Sequence, residues 1–293
     1  MRKKSFRLNR LDLVLILLLF GVGIYLVETV FITFHYQWNW AVIPQYFFRF
    51  DTLTDSWVPN LLVTGFLTTI RLTIWSSLMA ILLGTVAAVV IRSGGLYFRL
   101  LARSYVELVR NTPPLVLVFI FYFFFGNQLM AMLKIEDFLA SRSENTRYVL
   151  SILFATEERF PEFLSAVLTL ALFEGAYMTE IIRAGLEAVP RGQWEAADAL
   201  GLTVWSKYQD VILPQSFRIM LPALAGQIIS TIKDSAIVSV ISIQELTFQG
   251  MELMSATYLT FETWITITVM YFCLTYSCSL GAGCLERYFQ KER

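Results

Sequence analysis

The chain has 293 residues, of which 56% are hydrophobic and only 16% charged, with a mean hydropathy of +0.60. Its 23 basic and 23 acidic residues cancel, so the charge balance points to no nucleic-acid partner, and the apolar content is too high for a soluble domain of this length. The apolar residues come in runs of membrane-crossing size, which predicts an all-α polytopic membrane bundle of about six transmembrane helices.

Residues 1–10 hold five basic side chains and no acid, and the apolar run 11–34 follows at once. The run is longer than the core of a signal peptide, so it reads as a retained first span with its N-terminus inside. His35, the single histidine, sits near that helix end as an interfacial side chain, and its solitude argues against histidine-based metal or proton-relay chemistry. Residues 35–57, rich in Trp, Tyr and Phe, read as an aromatic belt on the outer side. The second run, 58–91, mixes Thr64, Thr68, Thr69 and Arg71 into its first part, which suits a helix that starts interfacial or bundle-facing and then crosses. The connection 92–112 carries Arg92, Arg99, Arg103 and Arg110 against a lone Glu107 and is expected to be a cytoplasmic loop.

Pro113 and Pro114 open the third run, where proline is tolerated and pushes Thr112 out of helical geometry. The polar, mixed-charge residues 134–162 face outside. A fourth run, 163–184, leads into the most polar stretch between apolar segments, 190–214. A fifth, 217–243, begins beside Pro214 and Pro222, and a short outer segment 244–260 leads to the sixth, 261–285. The charge bias of every connection then agrees with both termini being cytoplasmic. Cys273, Cys278 and Cys284 all fall in the last run, which leaves no basis for a disulfide framework or a zinc site.

The stretch PRGQWEAADALGLTVWSKYQDVILP (190–214) is not composed like a floppy connector. Residues 193–200 favour helix, Gly201 follows where a left-handed C-terminal cap belongs, and Pro214 suits the first turn of the next helix. An ordered cytoplasmic helix tethered to two spans is a handle through which a partner can push, and small Ala196 and Ala197 would let that partner approach closely.

Polar groups inside spans carry a cost of at least a few kcal/mol each and ask for a partner or a function. Glu180, Arg183 and Glu187 share one helical face and read as a salt-bridge ladder. Glu174 lies mid-span with Tyr177 on the same stripe and no cation placed on its own helix. It is either the polar wall of a solute path or a buried carboxyl bonded to a neighbouring helix. Lys233 and Asp234, with Ser230, Thr231, Ser235 and Ser239 near them, are expected to face other helices, for packing or for function. Nucleophile elbows, zinc-protease motifs and phosphate-binding loops are missing from the sequence. Active transport would therefore draw its energy from an ion gradient or from a separate ATPase chain.

Glu195-Ala196-Ala197, then Gly201, then Val211-x-Leu213-Pro214 resembles the EAA-loop signature of permease subunits in bacterial ATP-binding cassette importers, departing only in Val211 for the commoner isoleucine. YVELVRNTPPLV (105–116), EGAYMTEIIRAGLEAVPRGQ (174–193) and IKDSAIVSVISIQELT (232–247) look like the corresponding stretches of the polar amino acid permease branch. The resemblance implies a permease core over residues 58–285, preceded by an N-terminal helix and outer aromatic segment (1–57) and followed by a cytoplasmic tail (286–293). It also implies a cytoplasmic coupling helix that includes Trp194, Glu195, Ala196, Ala197 and Gly201, with Leu213 and Pro214 at the end of the signature. A second permease subunit (identical or paralogous), two ATPase subunits and an extracytoplasmic solute-binding protein would be its partners. ATP and magnesium would sit on the ATPases, leaving no cofactor on this chain. The location would be the bacterial inner membrane. An amino acid carries both charges, so Glu174, Tyr177, Lys233, Asp234 and Ser235 are the candidates for the substrate path. The competing class is an ion-gradient-driven carrier of small polar solutes.

Overall fold

The computed structural model describes residues 10–34, 36–52 and 55–290; the reading of His35 lies outside them. The chain divides into two compact units, 1–41 and 42–293. The first contains helix α1, Arg10–Phe34.

In the second unit the aromatic segment is not a bare interfacial belt. A 3₁₀ helix, Trp40–Tyr46, leads to strands β1 (Phe48–Asp51) and β2 (Ser56–Pro59), which pair antiparallel with Phe50 opposite Trp57. Those two rings meet edge to face at 5.7 Å, as large aromatics on one sheet face do. Asn60 then caps helix α2, Leu61–Ser93, its Oδ1 accepting from the Leu61 N–H at 2.9 Å. At 33 residues α2 is about 50 Å long, more than a perpendicular crossing needs.

The expected loop at 92–112 is instead helix α3, Leu96–Asn111. Its arginines mask an amphipathic pattern: Val106 and Val109 are buried, whereas Leu96, Phe98, Leu101 and Leu108 stay exposed. After the extended Thr112, helix α4 (Pro114–Ile120), a π-helical turn (Phe121–Gly126) and α5 (Asn127–Met132) make one span. The polar segment that follows folds into α6 (Ile135–Ala140) and α7 (Glu144–Leu153), then a 3₁₀ turn, Glu157–Arg159, leads into α8 (Phe160–Glu187). Beyond it come α9 (Arg191–Ala199), α10 (Val204–Ser206), a π-helical turn (Lys207–Ile212), α11 (Leu213–Asp234) and a 3₁₀ helix (Ser235–Ile241). Helices α12 (Leu246–Thr257) and α13 (Thr260–Gln290) complete the fold. Among the described residues five helical stretches are long and apolar enough to cross a membrane: 61–93, 114–132, 157–187, 204–241 and 260–288.

Helix α8 is the most enclosed of these and α13 the most open. The main seam joins α2 to α8. Gly65, Thr69, Thr73, Ser76, Ala80, Gly84 and Ala88 form a buried small-residue stripe down α2. At Gly84 a Cβ would lie 2.7 Å from the Met178 Cβ, so a side chain there would force the helices apart. Leu72, Val118, Phe163, Leu170, Val238 and Ile241 fill the core toward the α8 N-terminus, and Ala88, Met178, Ile182, Leu186, Ile212 and Leu224 fill it toward the C-terminus.

The segment expected as a short outer connection, 244–260, is also ordered. Glu245, fully buried, caps α12 by accepting from the Thr247 and Phe248 N–H groups at 2.9 and 2.8 Å. The Tyr271 hydroxyl of α13 donates to it at 2.7 Å and Thr69 of α2 reaches it at 3.4 Å, so one carboxyl ties three helices together. Burial pushes this carboxyl up to about 7, against the pull of the capping donors. The folded state therefore holds the proton more tightly than the unfolded chain. That contribution is complete below the ordinary value of 4.5 and is lost as pH rises toward about 7. Thermal unfolding of the detergent-solubilised protein should show wild type losing stability relative to Glu245→Gln across that window. A difference in melting temperature that does not change with pH refutes the assignment.

Candidate functional site

The 190–214 stretch is ordered through its own hydrogen bonds. Helix α9 ends in a Schellman motif: Gly201 N–H donates to the Asp198 carbonyl at 3.0 Å and Leu202 N–H to the Ala197 carbonyl at 3.2 Å. Gly201 adopts φ +68°, the left-handed conformation that only glycine takes without strain. Thr203 then caps the next helix, its Oγ1 accepting from the Ser206 N–H at 3.2 Å. Pro214 lies in the first turn of α11, as its position suggested, but the helical stretch that contains α11 already begins at Val204. The π-helical turn at 207–212 immediately before Pro214 widens the backbone where the proline lacks an N–H.

The face of α9 toward the bundle is fixed by Trp194 and Ala197. Trp194 meets Tyr208 edge to face at 5.5 Å, and the Arg92 guanidinium lies 4.4 Å from the Trp194 ring while its Nε donates to the Tyr208 hydroxyl at 3.2 Å. An ion pair between Asp198 and Lys207 closes the loop from outside. Ala197 is buried in this packing, so its small size serves the chain's own fit; Glu195 and Ala196 are the exposed members of the motif. Leu200, Gly201, Val204, Trp205, Leu213 and Pro214 are also exposed, which gives the loop an apolar outer surface.

The intramembrane candidates divide. Glu174 is fully buried on α8 and its Oε2 accepts from Gln227 Nε2 of α11 at 2.7 Å, while its Oε1 has no partner among the described residues. Asp234, half-buried on α11, lies beside it. Gln227, Thr231 and Asp234 follow i, i+4, i+7 spacing, so α11 turns one polar stripe toward Glu174. That spacing was readable in the sequence, yet Gln227 was missed among the small residues around it. Lys233, next in the chain to Asp234, is exposed. Ser235 is buried and donates to the Ile232 carbonyl at 2.7 Å, where α11 tightens into the 3₁₀ helix. Tyr177 packs in the cluster of Val109 and Phe173, and the Arg110 guanidinium lies 6.0 Å from its ring. The ladder forms as expected: Arg183 pairs with Glu180 at 2.7 Å and Glu187 at 2.8 Å, and Arg110 approaches Glu180 at 3.7 Å.

A helical bundle with a buried polar stripe and an ordered loop at one end defines a multi-spanning membrane transport subunit. The model of the family described as binding-protein-dependent transport system inner membrane component matches residues 80–291, and the chain belongs to that family. It is 30% identical over 192 residues to the probable glutamine ABC transporter permease protein GlnM of Bacillus subtilis, which covers 66% of this chain and 76% of the relative. It is 29% identical over 251 residues to the glutamate/aspartate import permease protein GltJ of Escherichia coli K12, covering 86% and 94%. Among solved structures, an amino acid ABC transporter crystallised with histidines matches with a TM-score of 0.62 and 35% identity, over 78% of this chain and 94% of that one. These likenesses favour binding-protein-dependent transport over the ion-gradient-driven carrier.

The opposite orientation of the two alanines can be checked by substitution. Ala197→Leu overpacks a filled space and should destabilise the chain by about 1–3 kcal/mol, whereas Ala196→Leu should change stability by less than about 0.5 kcal/mol. Thermal unfolding of both variants measures this, and equal effects would show that Ala197 is not packed inward.

Proposed function

We propose that this chain is the membrane-spanning permease subunit of an ATP-driven importer of polar or charged amino acids in the bacterial inner membrane. The observation that carries this reading is the Glu195-Ala196-Ala197 and Gly201 spacing on a rigid, Schellman-capped helix held between α8 and α11. Its exposed apolar rim, Leu200, Val204 and Trp205, suits a protein surface better than water. An ATPase subunit docks there, with ATP and magnesium on that subunit, and a second permease, identical or paralogous, completes the membrane core. A solute-binding protein delivers the amino acid from the opposite end. This chain supplies the path and the mechanical link and carries out no bond-breaking chemistry itself.

The link has a physical basis. Trp194, Tyr208 and Arg92 lock the coupling helix to the ends of α2 and α11, so a displacement of α9 is passed to the helices that bound the core. On the path, Glu174 Oε1 is a buried acceptor without a hydrogen-bond partner among the described residues, which a solute ammonium would supply once the path opens.

Uptake of radiolabelled glutamine and glutamate by cells carrying the whole transporter tests the path. Glu174→Ala should lower uptake about tenfold or more while the ATPase still co-purifies; undiminished uptake removes Glu174 from the path. For the link, Gly201→Asp imposes left-handed strain of about 1–2 kcal/mol and adds a charge at the docking rim. ATP hydrolysis should then no longer respond to the loaded binding protein. A wild-type response in that variant sinks the coupling assignment.

A further inference from the structure

Arg71 is an arginine within a membrane-spanning helix whose side chain has no carboxylate within ion-pair distance among the described residues. It lies about three turns into α2 from the Asn60 cap and is half-buried. Among the described residues its hydrogen bonding is limited to a long contact, 3.5 Å, from Nη1 to the Phe154 carbonyl. Arg110, Arg147 and Arg183 all lie within ion-pair distance of a glutamate. A guanidinium at this depth is costly unless something anionic joins it, and it offers five donors in a fork that matches an oxyanion.

The surroundings of Arg71 form a cleft of about 280 Å³, bordered by Thr64, Thr68, Arg159, Glu162 and Gln244 together with apolar side chains. Thr64 and Thr68 spend their hydroxyl protons on helix carbonyls, so they can only accept, and the charged donors left to the cleft are Arg71 and Arg159. The cleft sits where α2 and α8 begin and the 3₁₀ helix ends, at the opposite end of the bundle from the coupling loop. Its size and its mainly apolar walls with a few converging polar groups suit a small solute.

We propose that this cleft is an oxyanion subsite at the outer end of the path, in which Arg71 receives the carboxylate of the incoming solute before it reaches the Glu174 level. The proposal rests on the import reading above and adds a residue and a position to it. Arg71 and Arg159 outnumber Glu162 in the cleft, and the solute's carboxylate supplies the second negative charge. Lys at position 71 would keep the charge but lose the forked geometry.

The test uses the assembled transporter in neutral phosphatidylcholine nanodiscs, without binding protein, and saturation-transfer difference NMR with the protein L-amino acids and their α-carboxamides as probes. Wild type should give a signal from at least one amino acid and none from its carboxamide. Arg71→Met should weaken that binding about tenfold or more, and Arg71→Lys should fall between. Equal binding by Arg71→Met, equal binding of acid and carboxamide, or no signal from any amino acid each overturns the subsite. A phosphate headgroup could supply the same oxyanion. Native mass spectrometry in phosphatidylglycerol nanodiscs decides: lipid retained by wild type and lost from Arg71→Met assigns the cleft to lipid and overturns the solute reading. If no ATPase assembles with the chain, the import reading itself fails. If assembly and uptake are intact but binding ignores Arg71, only the subsite fails.

Discussion

Close approach between α2 and α8 is the constraint on which the structure depends. In lipid there is little hydrophobic gain from bringing apolar helices together, so contact must come from shape. Ala80, Gly84 and Ala88 supply that shape, with Gly84 set against Met178, while Gly65 and Thr69 at the other end of the stripe lie against α12. Once the two backbones touch, α8 is enclosed by α2, α3, α4 and α11, and its polar side chains have no route to lipid. Glu174 is buried because α8 is, and its bond to Gln227 follows from where that enclosure places α11.

The same seam aims the coupling loop. The ends of α2 and α8 lie together, which brings Arg92 onto Trp194 and Tyr208. The loop is therefore a rigid extension of the bundle. Its order comes from three local devices: the left-handed Gly201, the Thr203 cap and the Asp198–Lys207 pair. Each is short-range, which is why the loop's character was legible in the sequence. A helix former run, a glycine and a polar cap are signals within a single turn of chain.

Longer-range facts were less legible. Five of the six apolar runs coincide with helical stretches long and apolar enough to span, because span length follows from bilayer thickness alone. The arginine-rich segment 92–112 was misread because charge bias reports the side of the membrane and says nothing about whether the segment is helical; the fold of α3 depends on Val106 and Val109 finding α8 and its neighbours. The start of the fifth span was misplaced for a related reason. Proline is common at helix starts, but a π-helical turn lets it sit inside a continuing helix. Glu245 carried a cap signal at most, and nothing local in the chain could show that Tyr271 and Thr69 would converge on it. Among the substrate-path candidates, Lys233 and Asp234 were joined to Glu174 for their charges, and charge cannot say which neighbour a face will meet: Asp234 lies beside Glu174, whereas Lys233 is exposed. Spacing put Tyr177 on the stripe of Glu174, and its ring packs with Phe173.

Pairing, more than residue type, separates the charges that hold this bundle from those available to a solute. At the end that bears the 190–214 loop, Arg183 and Arg110 offset Glu180 and Glu187, so that cluster stiffens α8 and presents little net charge. Deeper in the bundle Glu174 is held by an amide, which satisfies one oxygen without cancelling charge. At the far end Arg71 has a carbonyl and no carboxylate. On the path proposed above, a zwitterion would meet Arg71, then Glu174, then the Glu180–Arg183–Glu187 cluster. Under that proposal its carboxylate and its ammonium are met at successive depths, and a cluster whose charges are already paired offers the solute no strong hold.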